Sequence, residues 1–278
     1  MVRNYLNYSC DDFLMSRNVR AVKTAKTPKP AKPAKSVKTA KVVKTVKTPK
    51  VTNARTVRSK IEITKSDFKN NRFYLDKDSW IEYYPNFITR PKQKDLLIEL
   101  TGSADLDYDE RNGHDDTDVP WEHGIYSMFG KNIPTPRLLY AMRDDDADIT
   151  KSYSVTDSIE WTPEMEKLRD RVAKKTNRSY RYAQMNYYRT GNDYIGFHTD
   201  SEVQSGDLIA SVSLGTTRRF RFRSIDYKNN SIPIYWIDLE PGSLLVMSEH
   251  AAKHNWKHEL MKDKNTTESR INITYRPN

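Results

Sequence analysis

From residue 181 to the C-terminus the chain is a succession of short strand-like runs broken by turn residues, and this pattern constrains the fold more than any other feature. RYAQMNYY (181–188), DYIGFHTD (193–200), LIASVSLG (208–215), RRFRFRS (218–224), IPIYWIDL (232–239) and SLLVMS (243–248) are each about one strand long, and Pro241-Gly242 marks a turn before the last of them. A closing strand covers 269–276. Ahead of these runs, EKLRDRVAKKT (166–176), opened by WTPEME with Pro163 near its first turn, reads as a helix. Short strands with little helix among them predict an antiparallel sandwich or barrel. Helical material placed mostly before them predicts an α+β layout with helices packed on one sheet.

The closing strand, ESRINITYRPN, poses the first functional question. Alternation puts Arg270, Asn272, Thr274 and Arg276 on one face and Ile271, Ile273 and Tyr275 on the other. A solvated outer face would look like this. So would two guanidinium forks and an amide converging on a small dianion, because Arg matches carboxylates bidentately.

A chain of 278 residues allows one large domain or two small ones. No apolar run approaches the roughly 18 residues a membrane span needs, and no secretory signal opens the chain. With Cys10 as the only cysteine, an internal disulfide is excluded, which predicts an intracellular, reducing setting. The net charge of +10 is unevenly placed. Residues 1–60 carry 16 Lys and Arg against 2 acids; the remainder carries 31 against 35. The chain therefore divides into a basic tail, 1–60, and a globular body, 61–278.

Lysine recurs in the tail at every third position from Lys23 to Lys50, with Pro28, Pro30, Pro33 and Pro49 among them. Polyproline II, with three residues per turn, aligns such lysines on one ridge about 9 Å apart. The segment has little to bury and is expected to be disordered, either as a tether for a phosphate backbone or as a solubilising linker or localisation signal.

Two histidine arrangements resemble metal ligands. In His198-Thr199-Asp200 an extended backbone points an imidazole and a carboxylate the same way; a third ligand from elsewhere would complete a two-His, one-carboxylate set. The other is His250, His254 and His258, four apart, a stripe if helical; it lacks the glutamate of a His-Glu-x-x-His hydrolase, and SLLVMSEH reads as a strand running into a loop.

His198-x-Asp200, then Trp256-Lys257-His258-Glu259-Leu260, then Arg270-x-Asn272-x-Thr274-x-Arg276 follow in a fixed order. In that order they resemble the AlkB family of Fe(II)- and 2-oxoglutarate-dependent dioxygenases over about residues 79 to 278, and its DNA-repair branch most. There LIASVSLGTTRRFRFR, PGSLLVM and WKHEL have counterparts. The resemblance implies a double-stranded β-helix (jelly roll) and Fe(II) held by His198, Asp200 and His258. His254 competes with His258, because one extra residue separates the two compared with the relatives. The resemblance further implies 2-oxoglutarate bound by Arg270 at its far carboxylate. Asn272 and Arg276 would sit near the oxo-acid end and the iron-side network, and Asn186 and Tyr188 would hydrogen-bond the same co-substrate.

The implied activity is oxidative removal of N-methyl groups, of the 1-methyladenine and 3-methylcytosine type, from flipped-out bases, with release of formaldehyde. SMFGKNIPTPR (127–137) resembles the repair branch's finger hairpin, with Phe129 as the aromatic wedge, or else a hairpin core residue, and with Arg137 on the substrate side. Tyr153 falls at an aromatic base-stacking position, Lys151 stands where a tyrosine is usual, and Glu202 matches an acidic residue after the His-x-Asp. The alternating Arg219, Arg221 and Arg223 make a basic strand face that is either a nucleic-acid path or a solvated surface. The expected partner is DNA carrying methylated bases, in a nucleus or other DNA-containing compartment, with no membrane and no obligate protein partner. RNA is the alternative substrate; a catalytically silent nucleic-acid-binding protein and a zinc hydrolase are the readings from other classes.

Overall fold

A computed structural model describes residues 58–102, 119–128, 130–144, 160–229 and 231–276. Residues 1–57 of the tail, the acidic stretch 104–118, Phe129, Lys151 and Tyr153 lie outside the described residues.

Among the described residues thirteen strands and two α-helices follow one another as β1 (Lys60–Glu62), β2 (Arg72–Tyr74), β3 (Trp80–Tyr84), α1 (Arg90–Thr101), β4 (Glu122–Met128), β5 (Lys131–Arg143), α2 (Pro163–Thr176), β6 (Tyr182–Tyr188), β7 (Ile195–His198), β8 (Leu208–Gly215), β9 (Arg218–Ser224), β10 (Ile234–Leu239), β11 (Leu244–Ser248), β12 (Trp256–Leu260) and β13 (Arg270–Arg276). They form an eight-stranded sheet, β2-β3-β11-β8-β13-β6-β5-β4, and a five-stranded sheet, β1-β10-β9-β12-β7. From β6 onward the chain passes repeatedly from one sheet to the other, which is the winding of a jelly roll. The crossing from β10 to β11 uses Gly242 at φ +75°, where a side chain would also press on the Ile88 carbonyl.

Alternation divides the core in two. Ala210, Val212 and Leu214 of β8, Ile271, Ile273 and Tyr275 of β13, and Ala183, Met185 and Tyr187 of β6 point to one face of the large sheet. There they meet Leu96, Leu97 and Leu100 of α1 and Met165, Leu168 and Val172 of α2. On the other face Ile81, Ile209, Leu245 and Met247 meet Phe222, Ile237, Leu239 and Trp256 of the small sheet. The helices thus cover one face of one sheet, as the α+β reading expects.

Helix α2 begins at Pro163, three residues before the run read as helical, because Thr162 takes an extended conformation and Pro163 already has helical φ. Its end is set by Asn177 at φ 53°, whose N–H returns to the Ala173 carbonyl. After β11 the chain does not enter a loop: His250–His254 forms one π-helical turn before β12. The outward face of β9 is largely neutralised within the sheet. Arg219 pairs with Asp238 at 3.0 Å and covers the Trp236 ring, Arg221 pairs with Glu259, and Arg223 covers Phe197 at 4.2 Å.

Candidate metal centre and dicarboxylate pocket

Neither face of β13 is solvated. It lies between β6 and β8, and all seven of its residues are buried. Its polar face therefore turns inward, into a cavity lined by Arg137, Gln184, Asn186, Tyr188, Ile195, His198, Asp200, Ser211, Phe220, Met247, His258, Asn272, Thr274 and Arg276.

His198, Asp200 and His258 come together at one end. Their donor atoms lie within 4.8 Å of one another, the one such group among the described residues. Strand pairing produces this. His258 of β12 is directly opposite His198 of β7, with ring centres 4.3 Å apart. Asp200 follows two residues after His198, with its N–H on the Ala252 carbonyl of the π-turn at 3.0 Å. His258 Nε2 lies 3.6 Å and His198 Nε2 3.9 Å from the Asp200 carboxylate oxygens. His198 Nδ1 is 2.8 Å from the Gly196 carbonyl, a contact that requires the proton on Nδ1 and leaves Nε2 with its lone pair for a metal. The His258 ring is held instead by Phe220, centre to centre 5.5 Å at 27°. His254 is turned away, 2.9 Å from Glu249.

The electrostatics suit a cation. Burial, and next the neighbouring His258, push His198 down to about 3. Burial pushes His258 down too. Burial alone would raise Asp200, but Arg276, His258 and His198 hold it below its ordinary value. The set at neutral pH is two neutral imidazoles and a carboxylate, the donor chemistry of a facial two-His, one-carboxylate iron site.

The rest of the polar face is ordered around it. Arg276 donates to Asp200 at 3.2 Å and pairs with Glu202, so Glu202 stands behind the metal ligand rather than in the cavity lining. Asn186 accepts from Arg137 at 2.7 Å. Asn272 donates to Ser211 at 2.5 Å and accepts from Thr274 at 2.9 Å. Arg270 is 1% exposed, donates to Ser213 at 2.9 Å, and has no carboxylate within ion-pair distance among the described residues. Burial pushes it down to about 10. A guanidinium buried this way fits an incoming carboxylate. It does not line the cavity directly, but lies 5.6 Å from the ring of Tyr188, which does. The donor set and this guanidinium together fit iron and a dicarboxylic 2-oxo acid.

Gln184, Ser211, Ser213 and Phe220 were not singled out from sequence. Parity could have found them: Gln184 shares a face with Asn186 and Tyr188, and the serines are the small polar positions of LIASVSLG.

Residues 81–276 match the 2OG-Fe(II) oxygenase superfamily. The DNA oxidative demethylase ALKBH2 of Bos taurus is 34% identical over 155 residues, covering 54% of this chain and 55% of that protein. The alpha-ketoglutarate-dependent dioxygenase alkB homolog 3 of Rattus norvegicus is 28% identical over 169 residues, 57% of this chain and 56% of that one. The chain thus spans little over half the length of these curated relatives. The solved structure of OsALKBH1 aligns at TM-score 0.49 and 15% identity, over 74% of this chain and 100% of that one. The family match takes in strands of both sheets and every metal-ligand candidate: the chain belongs to the 2OG-Fe(II) oxygenase superfamily, and its cofactors are Fe(II) and 2-oxoglutarate.

Proposed function

We propose that this chain is a nucleic-acid oxidative demethylase that removes N-methyl groups of the 1-methyladenine and 3-methylcytosine type from flipped-out bases in DNA. The observation that carries the reaction type is His198, Asp200 and His258 gathered at the end of a cavity floored by the polar face of β13. The substrate class is supported by likeness to proteins named as DNA oxidative demethylases.

In this reading His198 and His258 hold the iron through Nε2 and Asp200 through a carboxylate oxygen. Bound Fe(II), with 2-oxoglutarate and dioxygen, supplies the oxidation that places one oxygen in a methyl C–H bond, the oxo acid leaving as succinate and carbon dioxide. The hydroxymethyl group then parts from the base nitrogen as formaldehyde; the nitrogen keeps the bonding electrons, and the hydroxyl proton is released. Arg276, fixed to Glu202, keeps Asp200 ionised and oriented. Arg270 takes the far carboxylate of 2-oxoglutarate beside Tyr188, and Asn186, held by Arg137, faces the same co-substrate. Phe220, Met247 and Ile195 keep the cavity wall apolar and exclude water.

A duplex hides its methylated bases, so the base must leave the stack. Phe129 is assigned the wedge, with Tyr153 on the base side, while Glu202 acts behind Asp200 through Arg276. Residues 61–278 form the catalytic body. The lysines at every third position from 23 to 50 act as the sequence-independent tether, placing the protein in a DNA-containing compartment. The test is formaldehyde and succinate released in equal amounts with a methylated oligonucleotide. Succinate without formaldehyde, across both DNA and RNA substrates, would contradict the demethylase reading.

A further inference from the structure

Strand β9 buries an arginine that the Arg-Phe alternation conceals. Arg219, Arg221 and Arg223 face outward, but Arg218 shares the inward parity of Phe220, which stacks on His258, and Phe222, which is fully buried. Arg218 is 1% exposed. Its terminal nitrogens donate to the carbonyls of Met261 at 2.8 Å, Asp193 at 2.9 Å and Thr190 at 3.2 Å, and Nε has no hydrogen-bond partner among the described residues. No carboxylate lies within ion-pair distance of it among the described residues. The two acids that favour its charge are engaged elsewhere, Asp193 by Arg189 and Asp263 by Thr266.

A guanidinium taken out of water against carbonyl dipoles alone is costly, and burial pushes Arg218 down. Arg270, held by the Ser213 hydroxyl, is likewise buried without a carboxylate partner among the described residues. The two meet at one side chain: the guanidinium carbons lie 5.9 Å and 5.6 Å from the ring centre of Tyr188. Two like charges in one dry place oppose each other, and Arg218 indeed disfavours the charge on Arg270. Clamping loop carbonyls requires N–H donors but no formal charge. Both charges become favourable together when an anion sits beside them.

We propose that Arg218 is a second cationic residue at the dicarboxylate end of the 2-oxoglutarate pocket, acting with Arg270 next to Tyr188 to select 2-oxo acids that carry a second carboxylate. It is a positioning and specificity residue: its N–H groups stay on the loop carbonyls and its charge acts through the field. The inference rests on the reading of this cavity as the 2-oxoglutarate site.

The test measures binding. The full chain loaded with Mn(II), which does not turn over, is titrated without oxygen with 2-oxoglutarate and with 2-oxobutyrate, which keeps the chelating end and lacks the second carboxylate. Arg218→Gln keeps amide donors and loses the charge; Arg218→Lys keeps the charge and loses the fork. Arg218→Gln is expected to weaken 2-oxoglutarate on the order of tenfold, the scale of one unit charge at an effective dielectric of about 20, and to leave 2-oxobutyrate unchanged. Arg218→Lys is expected to keep the wild-type ratio between the two acids. Arg218→Met replaces the Gln variant if the latter does not fold. Equal weakening of both acids in a folded charge-free variant would overturn the proposal and leave Arg218 a loop clamp. Wild-type protein that binds neither acid would overturn the reading of the cavity itself.

Discussion

His258 stands directly across the β12–β7 ladder from His198, ring centres 4.3 Å apart, whereas His254 is bonded to Glu249 on the π-turn. Replacing His258 with Ala should therefore weaken Fe(II) or Mn(II) binding by more than the ~100-fold that loss of an outer-shell partner can reach. His254→Ala should bind metal like wild type and change stability by about 0.5 kcal/mol or less. Metal titration of the two variants decides the distal ligand; the reverse pattern would reject His258.

Arg270 has one hydrogen-bond partner among the described residues, the Ser213 hydroxyl. Arg270→Met should raise the KM and Kd for 2-oxoglutarate on the order of 50-fold, from the roughly 2–3 kcal/mol of charge-assisted bonds it would make, with metal affinity unchanged. Loss of metal binding along with the co-substrate would mean that the residue supports the fold instead.

Gly191 faces a closed backbone. A Cβ there would collide with the Asp263 carbonyl oxygen and press on that of Thr266 at 2.7 Å, and no rotamer relieves a clash with main chain. Gly191 N–H also donates to Thr266, and its carbonyl accepts from Asp263. Gly191→Ala should cost about 3 kcal/mol by overpacking, seen as a lowered denaturation midpoint. A neutral substitution would show that these two turns separate easily.

Asp76 ties the start of β3 to β12, accepting from Trp256 Nε1 at 2.7 Å and from the Ser79 N–H at 2.7 Å. Burial would raise this carboxyl, but the bonds from Trp256, Asp78 and Ser79 outweigh it and hold it below its ordinary value. The unfolded carboxyl titrates at about 3.9. Its stabilisation is therefore complete above that pH and lost as pH falls through the folded value. Asp76→Asn should destabilise by about 2 kcal/mol at neutral pH, with the gap from wild type closing below pH ~4. Denaturation midpoints across that range check the sign; a gap independent of pH contradicts it.

Lysine at every third position from 23 to 50 carries a separate prediction. Removing residues 1–57 should flatten the salt dependence of oligonucleotide binding, by up to ~0.9 in log–log slope for each lysine on a phosphate, while 2-oxoglutarate binding stays the same. An unchanged slope would remove the tether.

Much of this was legible in the sequence, for identifiable reasons. LIASVSLG and RRFRFRS are bounded by turns and became β8 and β9 at the residues read from them. His198 and Asp200 were readable because two residues of extended chain keep side chains on one face. The distal histidine was not readable from spacing. His250, His254 and His258 are four apart, which suits one helical face and one strand face alike; the π-turn separates the first two from His258, and only cross-strand pairing brings His258 to His198. The pattern of β13 alone could not separate a solvated polar face from a buried binding face, because burial on both sides is a property of its neighbours, β6 and β8. Arg218 was not singled out because it stands next to Arg219, outside the alternation of Arg219, Arg221 and Arg223.

Demethylation at the His198–Asp200–His258 centre can be read directly from the substrate. The most direct measurement is the mass of an oligonucleotide carrying one 1-methyladenine or 3-methylcytosine, before and after the protein, loaded with Fe(II) and 2-oxoglutarate without oxygen, is exposed to air. The account predicts loss of one CH2 per lesion, retained in His254→Ala and absent in His258→Ala. An unchanged mass with wild-type protein, while succinate still forms, would contradict these bases as substrates; no succinate at all would contradict the site.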